Sequence, residues 1–164
     1  DNFIGETVQK NNLESDGLVF FREHRIRFQQ ELARKTRGLP TSIDKRLDLF
    51  CEKLETLLNL KDEKPALLHG DLWSGNHFAS HDQVPYIFDP AVYFGLREAD
   101  LAMTEMFGRL PEEFYSAYHE VFPTQPGYPE RKDLYNLYHL LNHYNLFGGS
   151  YLEQADRIVR GFLD

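Results

Sequence analysis

Leu47, Phe50, Cys51, Leu54, Leu57 and Leu58 recur at three- and four-residue spacing, the period of a helix with one face turned to a core. Ser42 stands where such a helix would be capped. Upstream, after an irregular polar start, Phe21, Phe28 and Leu32 share a helical face within 17–35, and Gly38-Leu39-Pro40 closes that segment. Past the charged turn Lys61-Asp62-Glu63-Lys64-Pro65 the rhythm changes. Short apolar runs at 66–69, 77–80 and 84–88, parted by Gly, Ser, Asp and Pro, predict small strands and tight loops. Helical spacing returns near 98–108, after Pro111, and at Leu134, Leu137, Tyr138, Leu141 and Tyr144; a last helix is predicted over 151–163. Residues 123–129 read as a loop. The pattern predicts one α+β, mainly helical domain over residues 1–164, with a small β element at its middle and no internal repeat.

A composition of 41% hydrophobic and 27% charged residues is that of an ordinary globular domain. The net charge of -8 argues against a nucleic-acid partner, because phosphate backbones need clustered Lys and Arg. No apolar run approaches the roughly 20 residues that span a bilayer, so no membrane partner is expected. The single Cys51 cannot form an intrachain disulfide, which fits a reducing, cytoplasmic setting. The start Asp1-Asn2-Phe3 is not a signal peptide and has no initiator Met, as expected of a piece of a longer chain.

The chemistry concentrates in the β element. Leu67-Leu68-His69-Gly70-Asp71-Leu72-Trp73-Ser74-Gly75-Asn76 places an Asp and an Asn five residues apart on a loop between apolar runs, and Asp89 ends the next run. A hairpin would bring Asn76 and Asp89 together. Two carboxylates and one amide are hard oxygen ligands of the kind Mg²⁺ takes alongside substrate phosphates. In kinases an Asp followed five positions later by Asn supplies the base-like carboxylate and one metal ligand, and a downstream Asp holds the metal from the other side. An exposed Asp71 would be ionised at neutral pH and able to align a hydroxyl and take its proton.

At these residues the sequence resembles the fructosamine kinase (ketosamine-3-kinase) family, whose fold is protein-kinase-like and aminoglycoside-phosphotransferase-like. The resemblance extends through Ile87-Phe88-Asp89-Pro90-Ala91, Phe114-Tyr115-Ser116-Ala117-Tyr118 and Leu141-Asn142-His143-Tyr144-Asn145-Leu146-Phe147-Gly148. It implies ATP-dependent phosphorylation of the sugar 3-hydroxyl of ketosamines, free or on glycated proteins, as a step in deglycation. By the same matching Asp71 is the catalytic residue, Asn76 and Asp89 hold Mg²⁺ and the nucleotide phosphates, and Trp73 flanks the sugar. His143, in a polar block on an otherwise apolar helix, is a candidate for the substrate cleft. Asp89 is followed by Pro-Ala where protein kinases have Phe-Gly, and neither a glycine-rich phosphate loop nor a strand with the nucleotide-binding lysine is visible. The expectation is therefore a C-terminal catalytic and substrate-binding lobe, with the N-terminal nucleotide lobe absent from this sequence and little turnover by the lobe alone.

Other readings stay open at this point. The lobe could be a non-catalytic module that binds ketosamines or a partner, or a kinase for another small hydroxyl acceptor. A metal-dependent hydrolase could use His69, Asp71, His77 and Asp89. His139 and His143 stand four apart, as in zinc sites, but Leu140 replaces the Glu of a zinc-protease motif. His69 reads more simply as a hydrogen-bonded, loop-positioning histidine, Asp100 as a brace for the loop or a solvated helix charge, and Tyr115, Tyr118, Tyr135 and Tyr138 as core or rim aromatics.

Overall fold

The computed structural model describes residues 1–163. The polar start is not irregular. β1 (Asn2–Ile4) and β2 (Thr7–Gln9) form an antiparallel hairpin that turns at Gly5, whose φ of 57° lies in the left-handed region glycine tolerates. Asp16 then caps α1 (Gly17–Phe20) by accepting from the amides of Leu18 and Val19, and the helix continues through a π-helical stretch (Phe21–Arg27) into α2 (Phe28–Thr36). That wider stretch turns the later residues away from the face a uniform helix would present. The core face beyond it is Gln29, Gln30 and Ala33, while Phe28 and Leu32 are only half-buried.

α3 (Thr41–Leu58) buries Leu47, Phe50, Cys51, Leu54 and Leu58, as its period predicts. Ser42 does not cap it: the helix starts at Thr41 after Pro40, with no side-chain cap, and Ser42 lies inside the first turn. The helix ends on Asn59 in the left-handed conformation. Burial pushes the Cys51 thiol up to about 11, which leaves it an inert core residue.

The β element consists of two antiparallel pairs. β3 (Ala66–Leu68) pairs with β6 (Tyr93–Gly95), a strand the sequence pattern did not reveal, and β4 (His77–Ala79) pairs with β5 (Pro85–Ile87). α4 (Glu98–Met106), α5 (Glu112–Val121), α6 (Tyr128–Phe147) and α7 (Tyr151–Leu163) follow. Pro129 belongs to the first turn of α6, where its missing N–H costs nothing, so only the segment before Tyr128 is loop. α6 is the central element and packs against α2, α4 and α7. A buried ion pair fixes α4 to α6: Arg131 donates to both Glu98 oxygens at 2.7 and 2.8 Å, and the Tyr135 hydroxyl donates to Glu98 at 2.9 Å. Tyr115, Tyr135 and Tyr138 are buried and Tyr118 is half-buried. Among the described residues no helix is long and apolar enough to cross a membrane.

His139 lies sealed in α6, and burial, reinforced by the nearby His143 and Arg25, holds its pKa down at about 3. An unfolded histidine titrates near 6.5, so between about pH 6.5 and 3 the unfolded chain binds a proton that the folded chain refuses. His139 therefore costs stability as pH falls through that window, by at most about 1.4 kcal/mol per pH unit. Urea unfolding of wild type and His139→Phe at pH 7 and pH 5 checks this: the wild type is expected to lose more stability than the variant on acidification.

Candidate active site

The loop after β3 is held by backbone-directed bonds. The amides of His69 and Gly70 donate to the two oxygens of Asp100 on α4, at 2.7 and 2.9 Å, so Asp100 braces the loop and is no solvated charge. Burial nevertheless pushes the Asp100 pKa up against these two bonds. The His69 ring spans the loop: Asp71 N donates to Nδ1 at 3.3 Å and Nε2 lies 3.0 Å from the Phe88 carbonyl. An amide only donates and a carbonyl only accepts, so both contacts are met with the ring proton on Nε2. His69 is thus a loop-positioning residue, as its sequence setting suggested.

A second strut joins the loop to the Asp89 segment. Ala91 N donates to His69 O at 2.9 Å, and Ala91 O packs directly on Gly70, where a Cβ would come within 2.0 Å of that oxygen. Gly70 has φ 83°, so two constraints demand glycine there. The N-terminal hairpin clasps the same segment. Buried Gln9 donates to Ala91 O at 2.9 Å and accepts from the Tyr138 hydroxyl at 2.8 Å, while Asn2 and Asn11 donate to Val92 O. Arg25, wholly buried in the π-helical stretch, donates to Lys10 O and Asn11 Oδ1 and lies 4.0 Å from the Tyr93 ring centroid. Sequence reasoning missed this clasp; Ile4-Gly5-Glu6-Thr7, an apolar–turn–polar alternation, was the signal that could have revealed it.

Asp71, Asn76 and Asp89 converge as the hairpin predicts. Asn76 is buried; its Nδ2 donates to Asp71 O at 2.9 Å and to Asp71 Oδ2 at 3.2 Å. Its backbone carbonyl accepts from Phe88 N at 3.1 Å, which sets it across the hairpin from the start of the Asp89 segment. Asn76 Oδ1 has no hydrogen-bond partner among the described residues, nor does the exposed carboxylate of Asp89, which sits at φ 54°. One amide oxygen and one free carboxylate are donors that suit Mg²⁺, which leaves other positions to water and phosphate. Asp71 is only half-exposed, contrary to the exposed carboxylate expected. Burial pushes its pKa up, as does Asp89, against the pull of His69, the Asn76 hydrogen bond and His143. That direction makes it a better proton acceptor at the wall of a cavity.

The cavity in front of Asp71 measures ≈ 340 Å³ and is bounded chiefly by Asp71, Trp73, Phe107, Asn142, His143 and Phe147. Trp73 meets Phe107 edge-on at 6.0 Å between ring centres, and its indole lies over Gly75, where a Cβ would meet it at 2.3 Å. His143 packs between Phe107 at 5.5 Å and Tyr151 at 5.1 Å, and its Nδ1 lies 2.7 Å from the carbonyl of His139. Trp73 and His143 therefore line the same cavity as Asp71. Phe107 and Phe147 went unnoticed in the sequence because an aromatic at a helix end looks like any core residue.

Two metal readings fail. His139 is sealed in the core and His143 addresses its backbone, so the pair is no zinc site. The hydrolase set His69, Asp71, His77 and Asp89 does not assemble either: both His69 ring nitrogens contact backbone groups, and no group of three or more His, Cys, Asp or Glu among the described residues could hold a metal ion.

The fructosamine kinase family matches residues 1–164. A Vibrio parahaemolyticus protein named a probable ketoamine kinase is 51% identical over 159 residues, covering 97% of this chain and 54% of its own length. The chloroplastic protein-ribulosamine 3-kinase of Oryza sativa subsp. indica is 45% identical over 163 residues, 99% of this chain and 47% of the relative. A Thermobifida fusca crystal structure assigned by name to the fructosamine-3-kinases superposes with a TM-score of 0.89 at 34% identity, over 98% of this chain and 56% of that one. The chain thus spans about half the length of the curated relatives it matches. With a full-length family match and these relatives, the chain belongs to the fructosamine kinase family.

Proposed function

We propose that this chain is the C-terminal catalytic and substrate-binding lobe of a cytoplasmic ketoamine kinase, which transfers the γ-phosphoryl group of ATP to the 3-hydroxyl of a sugar-amine adduct. The observation that carries the reading is the placement of Asp71, joined to Asn76, at the wall of an aromatic-lined cavity. Asp71 accepts a hydrogen bond from the acceptor hydroxyl, orients its lone pair toward the phosphorus and takes the proton as the new P–O bond forms. Asn76 holds Asp71 in place through Nδ2 and turns Oδ1 outward; with Asp89 it would bind Mg²⁺ and the nucleotide phosphates. Mg²⁺, when bound, neutralises phosphate charge. Trp73 and His143 flank the sugar, the indole offering a flat apolar wall to its C–H face.

The remaining nucleotide contacts belong to a lobe outside these 164 residues. The exposed apolar side chains Leu67, Ile87 and Val92, grouped beside His69, offer a surface suited to meeting it. The acceptor is a free ketoamine or a glycated protein, released from the enzyme as the 3-phosphate. Mg²⁺-dependent ADP release by the full-length protein, with fructosyl-lysine against fructose, tests the assignment. Release stimulated by fructosyl-lysine and not by fructose is expected. Release indifferent to fructosyl-lysine would move the acceptor elsewhere, and fructosyl-lysine binding without any ADP release would favour a non-catalytic binding lobe.

A further inference from the structure

Asn142 precedes His143 on α6, is 2% exposed and lines the Asp71 cavity. A chain of hydrogen bonds anchored on a backbone carbonyl fixes the direction of its amide. Asn145 Nδ2 donates to Gln29 O at 2.9 Å, and because a carbonyl only accepts, the Asn145 nitrogen must face α2. The same nitrogen donates to Gln29 Oε1 at 2.7 Å, which turns Gln29 Nε2 toward Asn142, whose Oδ1 accepts at 3.1 Å. Asn142 Nδ2 is therefore turned away from Gln29 and has no hydrogen-bond partner among the described residues. Unlike Asn145 Oδ1 and Gln30 Oε1, which are sealed without a partner, it keeps accessible surface, and the cavity is the space this residue lines. A buried amide oriented through two others, Gln29 and Asn145, and left with a free donor at a ligand cavity is a group made to be satisfied by a ligand.

We propose that Asn142 is a specificity-determining residue whose amide donates to one oxygen of the ketoamine sugar, while Asp71 accepts from the hydroxyl to be phosphorylated; this rests on the ketoamine reading above. The rings around the cavity grip the sugar without distinguishing its oxygens, so discrimination falls to the few polar groups that face it. An unpaired buried donor penalises any ligand lacking the matching oxygen. Gln29, remote from the ligand, is a positioning residue that keeps the donor, and not the acceptor end of the amide, facing inward.

Binding to the full-length protein is read by isothermal titration calorimetry. Fructosyl-lysine and its mono-deoxy analogues are titrated against wild type, Asn142→Leu and Gln29→Leu. Leucine has nearly the shape of asparagine and can neither donate to nor accept from a sugar hydroxyl. Wild type is expected to disfavour one analogue by about 10-fold, the worth of about one hydrogen bond. Asn142→Leu is expected to bind that analogue and fructosyl-lysine alike, and Gln29→Leu, which leaves the cavity wall intact and frees the Asn142 amide to turn, to narrow the same gap. Ratios unchanged at every position in both variants would overturn the role of Asn142 and leave the ketoamine reading standing. Failure of wild type to bind fructosyl-lysine would remove both.

Discussion

Asp71→Asn in the full-length protein is expected to cut fructosyl-lysine-stimulated ADP release by about 10²–10⁴-fold, the range that a positioned proton acceptor supplies. The amide is isosteric and can still accept from a hydroxyl through its oxygen, but it cannot take a proton. Ketoamine binding, read by isothermal titration calorimetry, should change little, because the cavity walls are untouched. The variant therefore separates chemistry from binding: a loss in kcat at constant affinity supports the role given to Asp71, and unchanged turnover removes it from the mechanism. Loss of binding with kcat retained would make Asp71 a docking group and leave the proton acceptor unassigned.

Gly70→Ala is expected to have an effect of similar size by a different route. A Cβ at this position would lie 2.0 Å from Ala91 O, and φ at 83° already disfavours an L residue. The clash is with backbone on both sides, so relief must come from separating the Asp71 loop from the Asp89 segment. A displacement of about 1 Å between groups that must act together costs on the order of 10²-fold in rate. Gly38→Ala is the matched control: φ is 76°, but nothing lies within 4 Å of the added carbon. It should show only the backbone penalty in thermal unfolding, about 1–2 kcal/mol, with turnover unchanged.

The helices were legible where one face alone is buried. α3 and α7 follow their apolar period, and α6 announces itself through Leu134, Leu137, Tyr138 and Leu141, all buried as spaced. The first long helix was legible as a helix but not as to its face, since nothing in Phe21-Arg22-Glu23-His24 signals a π-helical turn. Strands β1, β2 and β6 were the opposite case. They are three residues long, as are the strands that were read, so length does not separate them; what places them is tertiary contacts such as Gln9 to Ala91, which local pattern does not show.

The geometry of the candidate site was legible because it is local: Asp71, Asn76 and Asp89 fall on one loop and one hairpin. Asp100 was foreseen as a candidate brace from its place on the next helix, and the geometry chose between the two alternatives. Asn142, Phe107 and Phe147 could not be ranked in the same way. Their meaning depends on which face of α6 and which end of α4 meet the cavity, and sequence spacing does not carry that information across more than 30 residues of intervening chain.

In the proposed reaction the acceptor hydroxyl meets Asp71 beside a metal-bound phosphate. A crystal structure of the full-length protein with Mg²⁺, a non-hydrolysable ATP analogue and fructosyl-lysine tests this arrangement. The ketose 3-hydroxyl is expected within hydrogen-bond distance of the Asp71 carboxylate, with Asn76 Oδ1 and Asp89 on Mg²⁺. A sugar bound with no hydroxyl near Asp71, or a metal held without Asn76 and Asp89, would contradict it.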